Sequence, residues 1–223
     1  GGMQARLRDE KIPPAEGIVG DESLGAGGFA NAMRTLPVVM DYAEQIERIN
    51  PTAVFINLTN PVGIIVEALV KYSTLSVVGV CDLPGTYIKR VADVLRHDPA
   101  ELWVDYIGLN HMGWIQNVRV NERSCMSKLL ERLERHKDDG FDMDLIEVFR
   151  MIPTLTVSLY FHQDCILKQQ QACGRFRAEV LHEAERQILK LYEDKHLAEV
   201  PELTRARNAV WYEETIVPLI AAL

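Results

Sequence analysis

Apolar residues in the first hundred positions follow the period of helices and of short strands in turn. Between Phe29 and Ile49 they recur every three or four residues, which predicts a helix that Pro37 should kink or divide. Two later runs are short, apolar and β-branched, as in strands that a parallel sheet buries on both faces. The predicted elements are a helix over 29–49, strands over 53–58 and 75–80, helices over 62–72 and 86–96, and a loop at 81–85. This order predicts a right-handed βαβ unit with parallel strands.

The pattern changes after about residue 100. Two further strands are predicted over 103–107 and 114–120, and the chain then becomes mainly helical. The amphipathic segments lie at 127–136, 142–150 and 177–193, and a long helix that Pro218 interrupts is predicted over 202–223. We therefore expect an α/β fold, with a partial Rossmann-type parallel sheet in residues 1–110 and a mainly helical α+β C-terminal domain in residues 111–223.

Composition narrows the classes of function. The 223 residues include 24 Lys and Arg against 32 Asp and Glu, which gives a net charge of −8. We expect no nucleic-acid partner, because such partners need clustered basic residues. We expect no membrane partner, because no run approaches the roughly 20 apolar residues of a membrane-spanning helix. The four cysteines lack paired spacing and no secretory signal is visible, which predicts a reduced, cytoplasmic location.

Polar residues follow the predicted parallel strands, at the edge where such sheets bind ligands. Asn60 follows the first strand, Cys81 and Asp82 follow the second, and His111 lies between the next two. A thiolate and an imidazole can hold a divalent metal and leave positions open for substrate oxygens. On spacing alone, a buried thiol and an ordinary loop histidine are the favoured explanation of Cys81 and His111. Asp82 is either a general acid or a helix cap.

Arginines and glycines offer a second kind of site. Arg6 and Arg8 lie near the start of the chain, and Arg175 and Arg177 precede a predicted helix. Guanidinium groups bind phosphate well, but a solvated charged face is the alternative for each of them. The glycine-rich segment 25–28 either exposes backbone N–H groups to an anion or is a flexible connection. The chain contains no strand–Gly-x-Gly-x-x-Gly–helix fingerprint for a dinucleotide.

Five short segments are informative about the protein family when they are considered in their order along the chain. They are Gly1–Pro13, Gly25–Phe29, Asn57–Pro61, Cys81–Pro84 and Gly108–His111. In this order they resemble the family 4 glycoside hydrolases, the NAD- and manganese-dependent 6-phospho-glucosidases. The resemblance resumes more weakly at Ile152-Pro153 and at Arg177–Val180.

The resemblance implies a redox-assisted elimination instead of hydrolysis by two carboxylates. NAD would accept a hydride from C3 of the sugar, which acidifies the proton on C2. A base would remove that proton and the aglycone would leave C1, after which water adds and the hydride returns. Mn²⁺ or another divalent metal would bridge the C2 and C3 oxygens as a Lewis acid.

The resemblance also implies roles for individual residues. Cys81 and His111 would bind the metal, and Asp82 would be the acid on the leaving-group side. Glu22 would line the site on the cofactor side. The residues that would contact the substrate are Arg6, Asn60, Asn110 and Arg177, the first and last of them at the 6-phosphate.

Three departures from the family pattern bear on activity. The dinucleotide fingerprint would lie before Gly1, so the chain as given could not hold the pyrophosphate of NAD in the usual way. The tyrosine that serves as C2 base aligns with Thr156, so either Tyr160 takes that role or proton abstraction is impaired. Asp82 is familiar in α-specific members, whereas many β-specific members carry asparagine there. The opening segment and Arg177–Val180 resemble β-type members more.

We therefore expect an incomplete chain of a cytoplasmic 6-phospho-β-glucosidase. Its substrates would be phosphorylated disaccharides or other 6-phospho-glucosides, and it would form a homodimer or homotetramer. One alternative is a 6-phospho-α-glucosidase of the same family. The other is a non-catalytic relative that binds a sugar phosphate or a partner protein.

Overall fold

The computed structural model describes residues 2–135, 140–207 and 215–223, without the side chains of 205–207. The chain forms two compact units. Unit 1 combines the chain up to Val80 with the part from Asp164 onward, and unit 2 is the continuous segment Cys81–Gln163. The division at residue 110 that the sequence suggests stays a prediction.

Unit 1 is built mainly of helices around a short parallel sheet. Its elements are α1 (Met3–Ala15), α2 (Gly25–Ile49), β1 (Val54–Asn57), α3 (Val62–Tyr72), β2 (Ser76–Gly79), α8 (Gln163–Ala172, whose first residue belongs to unit 2), α9 (Arg177–Leu191), a 3₁₀ helix (Glu202–Arg207) and α10 (Val217–Ala222). Strands β1 and β2 pair in parallel, from Val54 opposite Ser76 to Asn57 opposite Gly79. The predicted βαβ unit is therefore confirmed.

The core of unit 1 lies where α2 and α3 cover the parallel pair. Ile65 and Leu69 on α3 are four residues apart and share one helix face, and both are fully buried. They pack with Ala43 of α2 and with Leu75 before β2. Burial of Ile65 and of Leu69 each stabilises the folded state by about 1.5–3 kcal/mol. The helical spacing of apolar residues in the sequence predicts this buried stripe.

Two predictions about unit 1 need correction. Of the kink or division expected at Pro37, the division is wrong, because α2 runs without a break from Gly25 to Ile49, and the kink stays a prediction. Packing of its buried face outweighs the backbone bond that a proline removes. Strand β1 is not buried on both faces either, since Val54 is 44% exposed. Among the described residues the sheet has only these two strands, so fewer neighbours cover it.

The last predicted helix of the chain, over 202–223, is described only in part. The structure has the 3₁₀ helix Glu202–Arg207 and the α-helix Val217–Ala222. Residues 208–214 lie outside the described residues. None of the helices in the described ranges has the length and apolar character to cross a membrane.

Unit 2 is a mixed layer of helices and antiparallel strands. Its elements are α4 (Asp82–Leu95), a 3₁₀ turn (Pro99–Glu101), β3 (Leu102–Leu109), β4 (Met112–Val120), β5 (Arg123–Ser124), α5 (Met126–Arg135), α6 (Met143–Phe149), β6 (Ile152–Pro153) and α7 (Leu155–Phe161). Strands β3 and β4 form a hairpin in which Leu109 pairs with Met112. Strand β6 adds to the other edge of β4, with Ile152 opposite Ile115. The parallel pair of unit 1 and this mixed region confirm the expected fold class.

The sheet of unit 2 packs against α4 and α5. One core cluster contains four fully buried side chains, namely Val91 of α4, Val118 of β4, and Leu129 and Leu133 of α5. The predicted loop at 81–85 is wrong, because α4 already begins at Asp82. An acidic residue in the first turn suits the positive end of a helix, which explains why the helix begins early.

Asp142 ties three parts of unit 2 together. It caps α6, where its Oδ1 accepts a hydrogen bond from the Leu145 N–H at 3.2 Å. Its Oδ2 accepts from the Ser158 hydroxyl of α7 and is 3.0 Å from Nε2 of His162. Burial raises the pKa of Asp142, but these hydrogen bonds favour the carboxylate and bring the pKa below its usual range.

Candidate functional site

The structure brings Cys81 and His111 together, although thirty residues separate them in the chain. Cys81 is the residue that precedes α4, and His111 is the second residue of the turn between β3 and β4. The Sγ of Cys81 lies 3.4 Å from Nε2 of His111. Both side chains belong to unit 2, so their spacing is set within one compact body.

The surroundings of Cys81 favour its thiolate. Burial raises the pKa of the thiol. Hydrogen bonds from His111, the Leu83 backbone and the Asn110 side chain act in the other direction and bring the pKa below its usual range. Thiolate and imidazole are ligands that divalent transition metals accept, and two protein ligands leave coordination positions open. The donor set therefore fits a divalent metal site that can also take substrate oxygens.

The backbone of His111 adopts an unusual conformation that two threonines support. Its φ is 64°, in the left-handed region that non-glycine residues seldom adopt. The His111 carbonyl accepts hydrogen bonds from the hydroxyls of Thr154, at 3.4 Å, and Thr156. The Thr154 N–H also donates to the Gly113 carbonyl at 2.9 Å. Both threonine side chains are buried, so the segment after β6 holds the turn of the candidate ligand.

The remaining predicted residues of unit 2 lie at different places. Asp82 is the exposed first residue of α4, and its Oδ1 is 3.8 Å from the Cys81 sulfur. Asn110 lies in the same turn as His111. Tyr160 lies on α7 and is 62% exposed, with its ring edge-on to Phe161 at 5.3 Å between centroids. The structure therefore brings Asp82 and Asn110 to the Cys81–His111 pair, and it leaves Tyr160 on an open surface of the unit.

Unit 1 contains a separate polar cleft of about 400 Å³. Arginines and carboxylates line it, namely Arg6, Glu10, Asp21, Glu22, Arg175 and Arg177. The Nε of Arg6 is 2.7 Å from Glu10, and its Nη2 is 2.9 Å from Glu22. We refer to this site as the arginine cleft. It unites four of the residues named from the sequence: Arg6, Glu22, Arg175 and Arg177.

Glu10 joins the two walls of the arginine cleft. It is 7% exposed, and its Oε2 accepts a hydrogen bond from the Ala178 N–H in the first turn of α9 at 2.8 Å. A carboxylate is favoured there by the unpaired N–H groups and by the helix dipole. Arg177 is the first residue of α9, so Glu10 holds α9 and Arg6 in one arrangement. The sequence alone did not indicate Glu10.

Asn60 lies outside this group of contacts. It follows β1 at the carboxyl end of the parallel pair, and its carbonyl accepts a hydrogen bond from Nδ2 of Asn31 at 3.1 Å. The Asn60–Pro61 peptide bond is cis. The position at the strand end agrees with the expectation for a parallel sheet.

The glycine-rich segment 25–28 serves packing. It is the first turn of α2, so it is neither a loop nor a flexible connection. Gly27 and Gly28 are buried. A Cβ on Gly27 would meet the carbonyl oxygen of Asp21 and lie 2.6 Å from that of Asp9 on α1. Glycine is needed there because α2 approaches the α1 backbone too closely for any side chain.

Two family models together match nearly the whole chain. The model described as family 4 glycosyl hydrolase matches residues 1–97, and that of the family 4 glycosyl hydrolase C-terminal domain matches residues 106–223. The chain belongs to glycosyl hydrolase family 4. The family expected from the ordered motifs of the sequence is thus confirmed.

Curated relatives in family 4 include phospho-glucosidases of both anomers. The chain is 31% identical to a probable 6-phospho-beta-glucosidase of Bacillus subtilis over 99% of its length, and 31% identical to a 6-phospho-beta-glucosidase of Escherichia coli over 100%. It is 36% identical to the maltose-6'-phosphate glucosidase MalH of Clostridium acetobutylicum, over 59% of the chain. The chain spans about half the length of these first two relatives, 53% of each.

Solved family 4 structures share the fold. The 6-phospho-beta glucosidase of Thermotoga maritima, solved with NAD and glucose-6-phosphate, matches 99% of this chain with a TM-score of 0.88 and 28% identity. The chain covers 53% of that structure. A second form of the same enzyme, solved with manganese, NAD⁺ and glucose-6-phosphate, matches 91% of the chain with a TM-score of 0.81 and covers 49% of that structure.

Proposed function

We propose that the protein is a cytoplasmic 6-phospho-β-glucosidase that cleaves phosphorylated disaccharides or related 6-phospho-glucosides with the aid of NAD and Mn²⁺. The observation that carries the proposal is the Cys81–His111 pair, 3.4 Å apart, in a family 4 chain. Two relatives named as 6-phospho-beta-glucosidases align with 99% and 100% of the chain. The solved 6-phospho-beta glucosidase of Thermotoga maritima holds manganese, NAD⁺ and glucose-6-phosphate.

Cys81 and His111 would hold the metal. When bound, the metal would polarise sugar oxygens as a Lewis acid and NAD would accept and return a hydride. No residue of this chain is assigned to the NAD pyrophosphate, because the sequence as given contains no dinucleotide fingerprint. The role of Glu22 on the cofactor side stays a prediction.

The chain's own residues would bind the substrate and move protons. Arg6 and Arg177 would bind the 6-phosphate, since both line the arginine cleft and a guanidinium forks onto phosphate oxygens. Asp82 would donate a proton to the leaving-group oxygen. The side chains proposed to contact sugar hydroxyls are Asn60 and Asn110.

Proton abstraction at C2 needs a base, for which we propose Tyr160. The Thr156 hydroxyl is buried and donates to the His111 carbonyl, so its proton is already engaged. A phenol ionises far more readily than an aliphatic alcohol, so a tyrosine can supply a basic oxygen where a threonine hydroxyl cannot. Tyr160 is exposed and can meet a ligand.

A 6-phospho-α-glucosidase is the second candidate. Two observations favour it: Asp82 at the position after the metal-binding cysteine, and the 36% identity to MalH over 59% of the chain. A non-catalytic sugar-phosphate-binding protein is the third, favoured by Thr156 at the position of the base.

Turnover of nitrophenyl 6-phospho-glucosides of both anomers by the complete gene product, with NAD and Mn²⁺ present, tests these candidates. We expect release of nitrophenol from the β-anomer, and none from the unphosphorylated nitrophenyl β-glucoside. Preference for the α-anomer would favour the second candidate. Binding of glucose 6-phosphate without turnover of either anomer would favour the third. Light scattering of the same sample tests the proposed homodimer or homotetramer.

A further inference from the structure

The arginine cleft has as many carboxylates as guanidinium groups. Arg6, Arg175 and Arg177 face Glu10, Asp21 and Glu22, so the lining carries no net formal charge when every group is ionised. A phosphate monoester dianion gains little from a neutral lining, because the carboxylates repel it as strongly as the arginines attract it. The cleft must therefore lose negative charge when it takes an anion.

Two of the three carboxylates, Asp21 and Glu10, make hydrogen bonds that stabilise the fold. Asp21 accepts hydrogen bonds from the N–H groups of Ser23 and Leu24, at 2.7 and 2.9 Å, just before α2. Glu10 accepts from the Ala178 N–H and from Arg6 Nε, and it is buried. Releasing Asp21 would leave two partly buried N–H groups unsatisfied, and releasing Glu10 would do the same to the buried N–H of Ala178, which is costly.

Glu22 is held differently. Its Oε2 accepts from Arg6 Nη2 at 2.9 Å, and its side chain is 20% exposed, against 8% for that of Glu10. The segment before it is anchored, because the side-chain amide of Gln170 bonds both the N–H and the carbonyl of Gly20 at 2.8 Å. The side chain of Glu22 can thus leave Arg6 while its backbone stays in place.

Resting on the proposed function, we propose that Glu22 is the removable counterion of Arg6. A phosphate oxygen of the substrate takes the place of the Glu22 carboxylate at Nη2, and Glu22 accepts one proton from solvent as it leaves. Glu10 stays on Nε as the positioning residue that aims the guanidinium into the cleft. The exchange removes one negative charge from the lining and leaves it with a net positive charge.

The electrostatic surroundings of Glu22 agree with this exchange. Burial raises its pKa, Arg6 opposes the rise, and the neighbouring carboxylates Asp21 and Glu10 add to it. Loss of the Arg6 contact removes an interaction that favours the charged form and raises the pKa further. Arg175 and Arg177 are the other charged groups that line the cleft. Anion affinity should therefore fall as pH rises through the pKa of Glu22.

Calorimetric titration with sulfate tests the proposal, because sulfate stays a dianion across pH 5–8 and any proton taken up belongs to the protein. We expect sulfate binding to the native protein to be tighter at pH 5 than at pH 8. In buffers of different ionisation enthalpy it should be accompanied by proton uptake. In Glu22→Gln the affinity at pH 8 should rise about three- to tenfold and proton uptake should vanish.

Glu10→Gln is the matched control, since it removes the same charge from the same arginine. We expect it to bind sulfate no more tightly than the native protein, and Glu10→Asp to recover part of any loss. Tighter binding in both Gln variants would show a net-charge effect and overturn the proposal. So would unchanged affinity or retained proton uptake in Glu22→Gln, which stays decisive if Glu10→Gln does not fold.

Arg6→Gln separates this proposal from the proposed function. Sulfate affinity that is unchanged in Arg6→Gln, or no sulfate binding at all, would overturn both, because Arg6 would not be the phosphate ligand. Binding that depends on Arg6 but not on Glu22 would overturn the counterion role alone.

Discussion

The hydroxyl of Thr156 donates a hydrogen bond to the backbone carbonyl of His111. This contact joins α7 to the turn that holds one proposed metal ligand, and Thr154 makes a second bond to the same carbonyl. Thr156, at which the sequence resemblance predicts the family's catalytic tyrosine, therefore supports a backbone conformation in this structure. It does so where φ is 64° and support matters most.

Thr156→Val should lower both stability and metal affinity. The variant keeps the shape of the side chain but removes the hydroxyl, and a lost buried hydrogen bond costs about 1 kcal/mol. We expect that loss in urea unfolding, together with weaker Mn²⁺ binding because the His111 turn loosens. Thr156→Ser keeps the hydroxyl and should retain the Mn²⁺ affinity. Equal affinities in the two variants would contradict a supporting role.

Cys81→Ser should reduce Mn²⁺ affinity by at least about tenfold, as should His111→Asn. Each change removes one proposed ligand while the rest of unit 2 is kept. Free Mn²⁺ in a titration can be counted by electron paramagnetic resonance. Cys165→Ser is the control, because this cysteine is also free but exposed. If Cys81→Ser and Cys165→Ser bind the metal alike, the metal site is elsewhere.

Tyr160→Phe should lower kcat about 10²- to 10⁴-fold, the range that a general base contributes. The phenol is lost while the ring contact with Phe161 remains. Turnover of the nitrophenyl 6-phospho-β-glucoside measures the effect. Tyr192→Phe changes another exposed tyrosine and should leave kcat unchanged. An unaltered kcat in Tyr160→Phe would remove the residue from the mechanism.

Asp142→Asn should destabilise the protein in a pH-dependent way. The pKa of Asp142 is lowered in the folded state, so its charged form stabilises the fold above its unfolded pKa of about 3.9. That contribution disappears as pH falls through the lower folded pKa. Urea unfolding should therefore separate the variant from the native protein at pH 7 and pH 5, and less below pH 3.5. Asp144→Asn, at the exposed neighbour, should show no such trend.

Two glycines should respond in opposite ways to alanine. Gly27→Ala should cost about 1–3 kcal/mol, because the new methyl would strike the backbone carbonyls of Asp9 and Asp21. Gly63→Ala places its methyl in open space within α3, where alanine is favoured over glycine by up to about 1 kcal/mol. Thermal unfolding of the two variants tests both signs. Equal destabilisation would contradict the close approach of α2 to α1.

The periodicity of apolar residues predicted those helices and strands that bury a single face. α3 lies at the predicted residues 62–72 because its apolar stripe, with Ile65 and Leu69, is recorded directly in the sequence. Helix α1 was not predicted, since it carries Pro13 and Pro14 near its end and buries the charged residues Asp9 and Glu10. Asp9 is stabilised inside by Arg34, and Glu10 by Arg6 and by the Ala178 N–H. The contacts Asp9–Arg34 and Glu10–Ala178 join distant positions and leave no local pattern in the sequence.

The residues of the candidate site likewise fall into those that the sequence indicated and those that it did not. Motif order indicated Cys81, His111, Arg6 and Arg177, and the structure brings them together as two pairs, one in each unit. Glu10 and Thr154 were missed because their roles depend on atoms that lie far along the chain. Glu10 meets Ala178, and Thr154 meets Gly113 and His111.

Unit 2 is one uninterrupted stretch of chain, from Cys81 to Gln163, whereas unit 1 is assembled from the segments on either side of it. Genetically, this places the Cys81–His111 pair and its two supporting threonines in one continuous segment that a double crossover can exchange. Crossovers at its two ends would exchange the proposed metal-binding pair without altering Arg6, Glu10 or Glu22. Chimeras between family 4 members should therefore inherit metal preference and phosphate recognition as independent traits.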